Sequence, residues 1–172
     1  MKKVVFVIVI ALAWKKSVMA QDDAITKFFS KYVDDTSFTS IYVSPKMFQM
    51  FAKMDVDKMD AETKQAIQSL KSLRMLVSET NGAALYKEAL NKLNTAEYEL
   101  LMSVKDGDEN IRFWVKENPQ NKNMVNELLM LVGGDDFMLL SFLGNIELNK
   151  LSRLSDNLNI EGIEHLDKLK KN

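Results

Sequence analysis

The second half of the chain carries four short apolar segments separated by turn signals, and this arrangement restricts what it can fold into. The segments are Glu97 to Lys105, Ile111 to Lys116, Met124 to Val132 and Phe137 to Leu143. The first two alternate apolar and polar residues, as half-buried strands do, and in the first the alternation places Tyr98, Leu100, Met102 and Val104 on one face. Asp106-Gly107 and Gly133-Gly134 lie between consecutive segments, where each favours a solvent-exposed hairpin turn. The pattern predicts an antiparallel meander of four strands.

The first half of the chain alternates between helical and extended patterns. Helices are expected within Asp22 to Val33, from Ser44-Pro45 onward, over Ala61 to Leu70 and after Asn81-Gly82, and strands over Ser37 to Ser44 and around Leu73 to Val77. In the first helix, Ile25, Phe28, Phe29 and Tyr32 have helical spacing and are expected to pack on the core. Ser44 suits a helix N-cap and Pro45 suits the first helical position. A stripe on that helix is expected to face the core, and it consists of Met47, Phe48, Phe51 and Met54. Because strands that are joined through helices tend to be parallel, the two early strands are expected to be so.

The whole pattern predicts one α+β domain over residues 21–172. Asn145 is a candidate N-cap for a helix near the C-terminus, and the pattern from Ile160 to Lys170 predicts a second, shorter helix after it. The helix after Asn145 would bear Leu148, Leu151, Leu154 and Leu158. We expect a mixed, mostly antiparallel sheet of about six strands, with the helices mainly on one face.

The first twenty residues have the composition of a secretory signal peptide. Lys2 and Lys3 form a basic start, and Val4 to Trp14 is an apolar run that is too short to span a bilayer. Val18-Met19-Ala20 then presents compact residues to signal peptidase. We expect cleavage after Ala20 and a periplasmic or otherwise exported protein with no transmembrane span in its mature form. The alternative is that the segment is a buried N-terminal strand or helix.

Charge and cysteine content exclude several classes of function. The chain has 23 basic and 24 acidic residues, and removal of the leader would leave 19 basic residues against the same 24 acidic ones. A mildly acidic protein is a poor nucleic-acid binder. The chain has no cysteine, which excludes disulfides, thiol catalysis and cysteine-ligated zinc.

The residues that carry catalysis in other proteins lack partners in this sequence. His165 is the only histidine, and its place in the predicted tail offers neither an orienting partner nor a pocket. Ser69 and Ser72 lie near lysines but in no nucleophile motif. The chain also has no glycine-rich loop of the kind that holds phosphates. The sequence therefore predicts no cofactor.

Acidic and methionine clusters raise the question of a metal site. The acidic clusters are Asp55, Asp57 and Asp60, and Asp106, Asp108 and Glu109 with Asn110. Neither cluster has the ligand spacing of a calcium loop. The first is therefore better explained as a connector next to a helix, and the second as a hairpin tip. Met47, Met50 and Met54 have helical spacing that suits cuprous ion. Two of them share their stripe with phenylalanines, which favours a role in the core.

The last two predicted strands are apolar on both faces. On the second face lie Leu128, Met130, Val132, Met138, Leu140 and Phe142. One explanation is that the N-terminal or C-terminal helix folds across them. The other is an exposed patch for dimerisation or for docking an envelope partner, because large exposed apolar patches usually mark such sites. These six residues are the candidate interface.

Several of these landmarks resemble a family of exported Bacteroidetes proteins catalogued as domain of unknown function 4252. The resemblance rests on the leader, on Ser44-Pro45-Lys46-Met47-Phe48, on Tyr98-Glu99-Leu100-Leu101-Met102 and on the apolar residues of the tail. It covers nearly all of the mature chain, although its motifs are hydrophobic and turn patterns of low specificity. It implies a small exported protein and, through neighbouring genes for extracytoplasmic-function sigma factors, a role in envelope signalling. The resemblance supplies no catalytic residues.

Taken together, the residues favour a non-enzymatic interaction or sensory module that binds another envelope protein or a second copy of itself. The alternative is a hydrolase, or a binder of a small apolar ligand, with its site between the helices and the sheet. Glu97 and Glu99 are the acid–base candidates for that alternative, although their alternate spacing places both on a solvated face.

Overall fold

The structure is a computed structural model that describes residues 24–53 and 60–147. The helices are α1 (Ala24–Tyr32), α2 (Pro45–Lys53), α3 (Ala61–Ser69) and α4 (Gly82–Lys92), followed by a 3-10 turn at Thr95–Glu97. The strands are β1 (Thr39–Val43), β2 (Leu70–Ser78), β3 (Glu99–Asp106), β4 (Glu109–Glu117), β5 (Met124–Gly133) and β6 (Phe137–Glu147). The predicted leader, Met54, Asp55, Asp57 and the predicted tail helices with His165 lie outside the described residues.

All six described strands form one sheet in the order β1-β2-β6-β5-β4-β3. The predicted α+β class and the four-stranded meander, β3 to β6, are confirmed. The expectation that β1 and β2 are parallel is wrong, because every pair in the sheet is antiparallel. Two contacting helices connect β1 to β2, and they return the chain to the end where β1 finished, so that Val43 lies beside Leu73.

Helices cover both faces of this sheet, whereas the sequence predicted them mainly on one. On the α2–α3 face, Phe48 and Ala66 pack over buried strand residues that include Leu73, Phe113, Leu128, Met130, Leu140 and Phe142. On the α1–α4 face, Ile25, Phe28 and Tyr86 pack over residues that include Leu76, Trp114, Leu129, Leu131, Phe137 and Leu139. The double coverage explains why β5 and β6 are apolar on both sides.

The candidate interface is therefore part of the core. Leu128, Met130, Leu140 and Phe142 are at most 1 % exposed, and Val132 and Met138 pack against the same cluster. The prediction of an exposed patch is wrong at these positions. The described helices that pack over this face are α2 and α3, whereas the N-terminal helix α1 packs on the other face. The predicted C-terminal helices lie outside the described residues.

Helix α2 begins as predicted but buries less than predicted. The backbone N–H of Met47 donates to Oγ of Ser44 at 3.2 Å, which confirms the N-cap. Of the expected core stripe, Phe48 is buried, while Met47 and Phe51 are exposed. The helix contacts β2 and α3 beside the edge strand β1, so that only a narrow stripe of it meets the core.

The turn glycines behave differently from one another. Gly107 has a φ of 56° at an exposed tip, which confirms the predicted hairpin. Gly133 was expected at a similar tip but is buried as the last residue of β5, and the tip begins at Gly134. Strand β6 also continues through Asn145 to Glu147, where Ile146 pairs with Val125, so Asn145 does not start a helix.

A pair of adjacent glycine variants tests how closely α4 approaches β5. A Cβ on Gly133 would lie 2.3 Å from Cβ of Tyr86, whereas a Cβ on Gly134 would have its nearest neighbour at 3.3 Å. We expect Gly133→Ala to lower the free energy of unfolding by about 2 kcal/mol, because overpacking forces the helix away from the strand. Gly134→Ala should cost clearly less. Urea denaturation measures both, and equal losses would contradict the close approach.

Candidate functional site

A cleft of about 700 Å³ opens on the α1–α4 face, near the start of β3. Its walls come from α1, the end of α4, the 3-10 turn, β4 and β5. The apolar part of the lining consists of Ala24, Ile25, Phe28, Leu93 and Leu129. The charged part consists of Lys27, Lys31, Lys92 and Lys116 with Glu88 and Glu97. Such a volume lies within the range of small-molecule binding sites.

The apolar floor follows from the amphipathic pattern of α1. Ile25 and Phe28 point inward with Phe29 and Tyr32, as the sequence predicted, and all four are buried. Leu129 of β5 lies below them and pairs in register with Trp114 of β4. The floor is thus built from rigid core residues, which fixes the shape of the cleft.

An ion pair joins α1 to α4 at one wall of the cleft. Nζ of Lys31 donates to Oε1 of Glu88 at 2.6 Å, and the hydroxyl of Tyr32 donates to Oε2 of the same carboxylate at 2.8 Å. The Lys31 hydrogen bond holds the pKa of Glu88 below its usual value, and Tyr32 and the charge of Lys92 act in the same direction. The pair raises the pKa of Lys31 in turn. Both groups are therefore charged at neutral pH.

A second ion pair closes the opposite wall. Lys116 of β4 donates to the carboxylate of Glu97 at the end of the 3-10 turn, and this contact lowers the pKa of Glu97. A general acid needs a raised pKa to hold its proton at neutral pH. Glu97 therefore has the electrostatics of a structural ion-pair partner. Glu99 of β3 is exposed.

A buried carboxylate holds the Tyr98 side of the cleft in place. Glu127 is 5 % exposed and accepts hydrogen bonds from the hydroxyls of Tyr98 at 2.6 Å and Ser141 at 2.7 Å. Ser141 is itself fully buried. Because buried polar groups need hydrogen-bond partners, the two hydroxyls satisfy the side chain of Glu127 in place of water, and the network anchors Tyr98 against β5.

An irregularity in β3 makes this network possible. The sequence placed Tyr98, Leu100, Met102 and Val104 on one face, but the register with β4 shifts between Leu100 and Met102. Met102 and Val104 pack on the α2–α3 face, whereas Tyr98 packs on the α1–α4 face. A β-bulge turns one end of a strand relative to the other. Here it directs Tyr98 to the cleft.

The lining carries more positive than negative charge, although the whole chain has a net charge of −1. Four lysines face two glutamates, which leaves a net charge of +2. Lys31 and Lys116 are held by the two ion pairs. Lys27 and Lys92 make no direct ion pair with any residue of the described part of the chain. The cleft therefore combines an apolar floor with two lysines that can meet an anionic group.

Few of these residues stand out in the amino-acid sequence. The sequence predicts the inward face of α1 and, as an alternative, a ligand site between the helices and the sheet. The lysines gave no signal, because they come from three separate elements, α1, α4 and β4, and look like ordinary surface charges. The acidic hairpin tip is exposed, and Asn110 there donates to the Asp108 carbonyl at 3.1 Å. Across residues 24–53 and 60–147, no three acidic or histidine side chains converge as a metal site.

The Glu88 ion pair predicts a specific response to acid. Its pKa in the folded protein lies below the ordinary value of 4.5, so the folded state binds fewer protons than the unfolded state as the pH falls. The stabilisation that the Glu88 ion pair contributes is therefore complete above pH 4.5, and it is lost as the pH falls through the lower pKa of Glu88 in the folded protein. We expect Glu88→Gln to be less stable than the unaltered protein at pH 7, and the difference to shrink as the pH falls below 4.5. Urea denaturation across pH measures this.

Glu79→Gln removes the same charge at an exposed position away from the cleft and serves as the control. A difference for Glu88→Gln that stays constant down to pH 3, or that Glu79→Gln reproduces, would contradict the ion pair.

Comparison with known proteins places the chain in a family but not in a functional class. Searches of curated proteins and of solved structures found no significant match. A family model matches residues 32–154, which is most of the chain and includes all of the sheet. The chain therefore belongs to the family described as Domain of unknown function (DUF4252).

Proposed function

We propose that the protein is an exported, non-enzymatic binding module whose ligand occupies the cleft between α1, α4 and the sheet. The observation that carries this proposal is the convergence of an apolar floor and four lysines in one concave site. Export rests on the signal-peptide pattern of residues 1–20, and a role in envelope signalling rests on the family resemblance. Within the described residues no helix is long and apolar enough to cross a bilayer.

The cleft indicates the chemistry of the ligand. Phe28, Leu93 and Leu129 offer an apolar surface, and Lys27 and Lys92 offer charge at the rim. A molecule with an apolar body and one or two anionic groups, such as a carboxylate, satisfies both parts. A purely apolar ligand would leave the net charge of +2 unmatched, and a purely ionic one would not use the floor.

The cleft is less suited to hydrolysis. Its two glutamates are ion-paired, and their pKa values are lowered, which is opposite to what a general acid requires. The serine hydroxyl that donates to the buried side chain of Glu127, that of Ser141, is 0 % exposed and out of reach of a substrate. These features support binding over catalysis.

The proposal is tested by tryptophan fluorescence. Trp114 pairs with Leu129 under the cleft, and the only other tryptophan, Trp14, lies in the predicted leader. In a Trp14→Phe background, decanoic acid and decan-1-ol are titrated against the full chain. We expect both to change the Trp114 emission, and the acid to bind more tightly by about tenfold or more, because a charge-assisted hydrogen bond contributes about 1.5–3 kcal/mol.

Matched lysine variants assign the effect to the cleft. Lys27→Met with Lys92→Met should remove the preference for the acid and leave binding of the alcohol. Lys87→Met with Lys105→Met removes the same charge at exposed positions outside the cleft and should keep the preference. If neither amphiphile alters the Trp114 emission, the proposed function is wrong. If both pairs of variants behave alike, Lys27 and Lys92 are not responsible for the preference for the acid.

A further inference from the structure

Exposed large apolar side chains are concentrated on one segment of the described chain. Among residues 24–53 and 60–147, seven large apolar side chains are exposed, and six of them lie between residues 33 and 51. They are Val33, Ile41, Tyr42, Met47, Met50 and Phe51. This segment contains β1, an edge strand of the sheet, and α2, which follows it directly. Concentrated apolar surface of this kind marks sites of protein association.

The two edges of the sheet differ in how they are protected. At the opposite edge, β3 carries Glu99, Lys105 and Asp106 and a register shift near Leu100. Charges and bulges are the features that keep an edge strand from pairing with another chain. Strand β1 has the sequence Thr-Ser-Ile-Tyr-Val, with no charge, no proline and a regular register against β2. Among the described residues it is an unprotected edge, and no described strand pairs with its outer side.

We propose that β1 pairs antiparallel with β1 of a second copy of this chain, with Ile41 opposite its counterpart on a twofold axis. The two six-stranded sheets would then form one continuous sheet. Pairing about a twofold axis brings the same surface of each copy into contact, which is the usual geometry of homodimers. This interface differs from the candidate interface of the sequence analysis, which is buried.

Charge favours a second copy in the antiparallel orientation. Asp34 and Asp35 precede β1 and Lys46 follows it, and all three are exposed. Antiparallel pairing brings the acidic start of one strand to the basic end of the other. A parallel arrangement would place like charges together, which is unfavourable.

Helix α2 extends the contact on one side of the sheet. Ile41 shares a face with its partner Met75, which packs against the cluster that contains Phe48 of α2. Met47, Met50 and Phe51 are the exposed apolar side chains of the same helix. No residue of β1 or α2 lines the cleft, so dimerisation leaves the proposed ligand site open.

Cysteine crosslinking tests the pairing in the full chain, which has no cysteine of its own. Directly opposed residues of antiparallel strands have Cα atoms about 4.5–5.5 Å apart, which a disulfide can bridge. Ile41→Cys should therefore form a disulfide-linked dimer on mild oxidation. Leu100→Cys, at the opposite edge with 49 % exposure against 39 % for Ile41, is the matched control and should stay monomeric under denaturing, non-reducing conditions.

Sedimentation equilibrium of cysteine-free protein supplies the second measurement. The unaltered chain should be dimeric, and Ile41→Lys should weaken the dimer by about tenfold or more without unfolding it, because charge protects an edge strand. Leu100→Lys should leave the dimer intact. A chain that is monomeric at submillimolar concentration, or a dimer that is equally sensitive to both changes, would overturn the proposal.

Discussion

The structure depends on the burial of both sides of its two central strands. Leu128 and Leu129 are neighbours in β5, point to opposite faces, and are at most 1 % exposed. Strands buried on both faces read as continuous apolar runs and are typical of parallel sheets. Here the sheet is antiparallel, and the chain supplies the second cover by placing α1 before β1 and α4 between β2 and β3. A single helical layer would leave one face of β5 and β6 in water.

The cleft forms where the second helical layer, α1 and α4, stops short of the β3 edge of the sheet. Helices α1 and α4 cover the centre of the sheet, and the chain then crosses to the edge through the 3-10 turn. The gap between them is walled by the two ion pairs and by Tyr98. Ser141 interrupts the apolar run from Phe137 to Leu143 in β6, and its hydroxyl donates to Glu127, which also accepts from Tyr98. Ser141, although buried in the core, thus helps to position a side chain of the cleft.

Local signals predicted the elements well, and non-local features escaped them. Ser44 with Pro45 marks the start of α2, and Asp106-Gly107 marks a hairpin, because each acts through its own backbone geometry. The direction of β2 depends on α2 and α3 folding back on each other, which no local pattern encodes. The apolar second face of β5 predicted a cover but not which helices provide it. The lysines of the cleft meet only in the folded chain, so their spacing in sequence carries no signal.

The central claim, that both faces of the sheet are core, is tested most directly by comparing two neighbouring truncations in β5. The measurement is the free energy of unfolding of Leu128→Ala and Leu129→Ala by urea denaturation. Because each side chain is buried under a different pair of helices, each variant should lose about 2–5 kcal/mol. A loss confined to one variant, with the other close to the unaltered protein, would show that one face is open and would contradict this account.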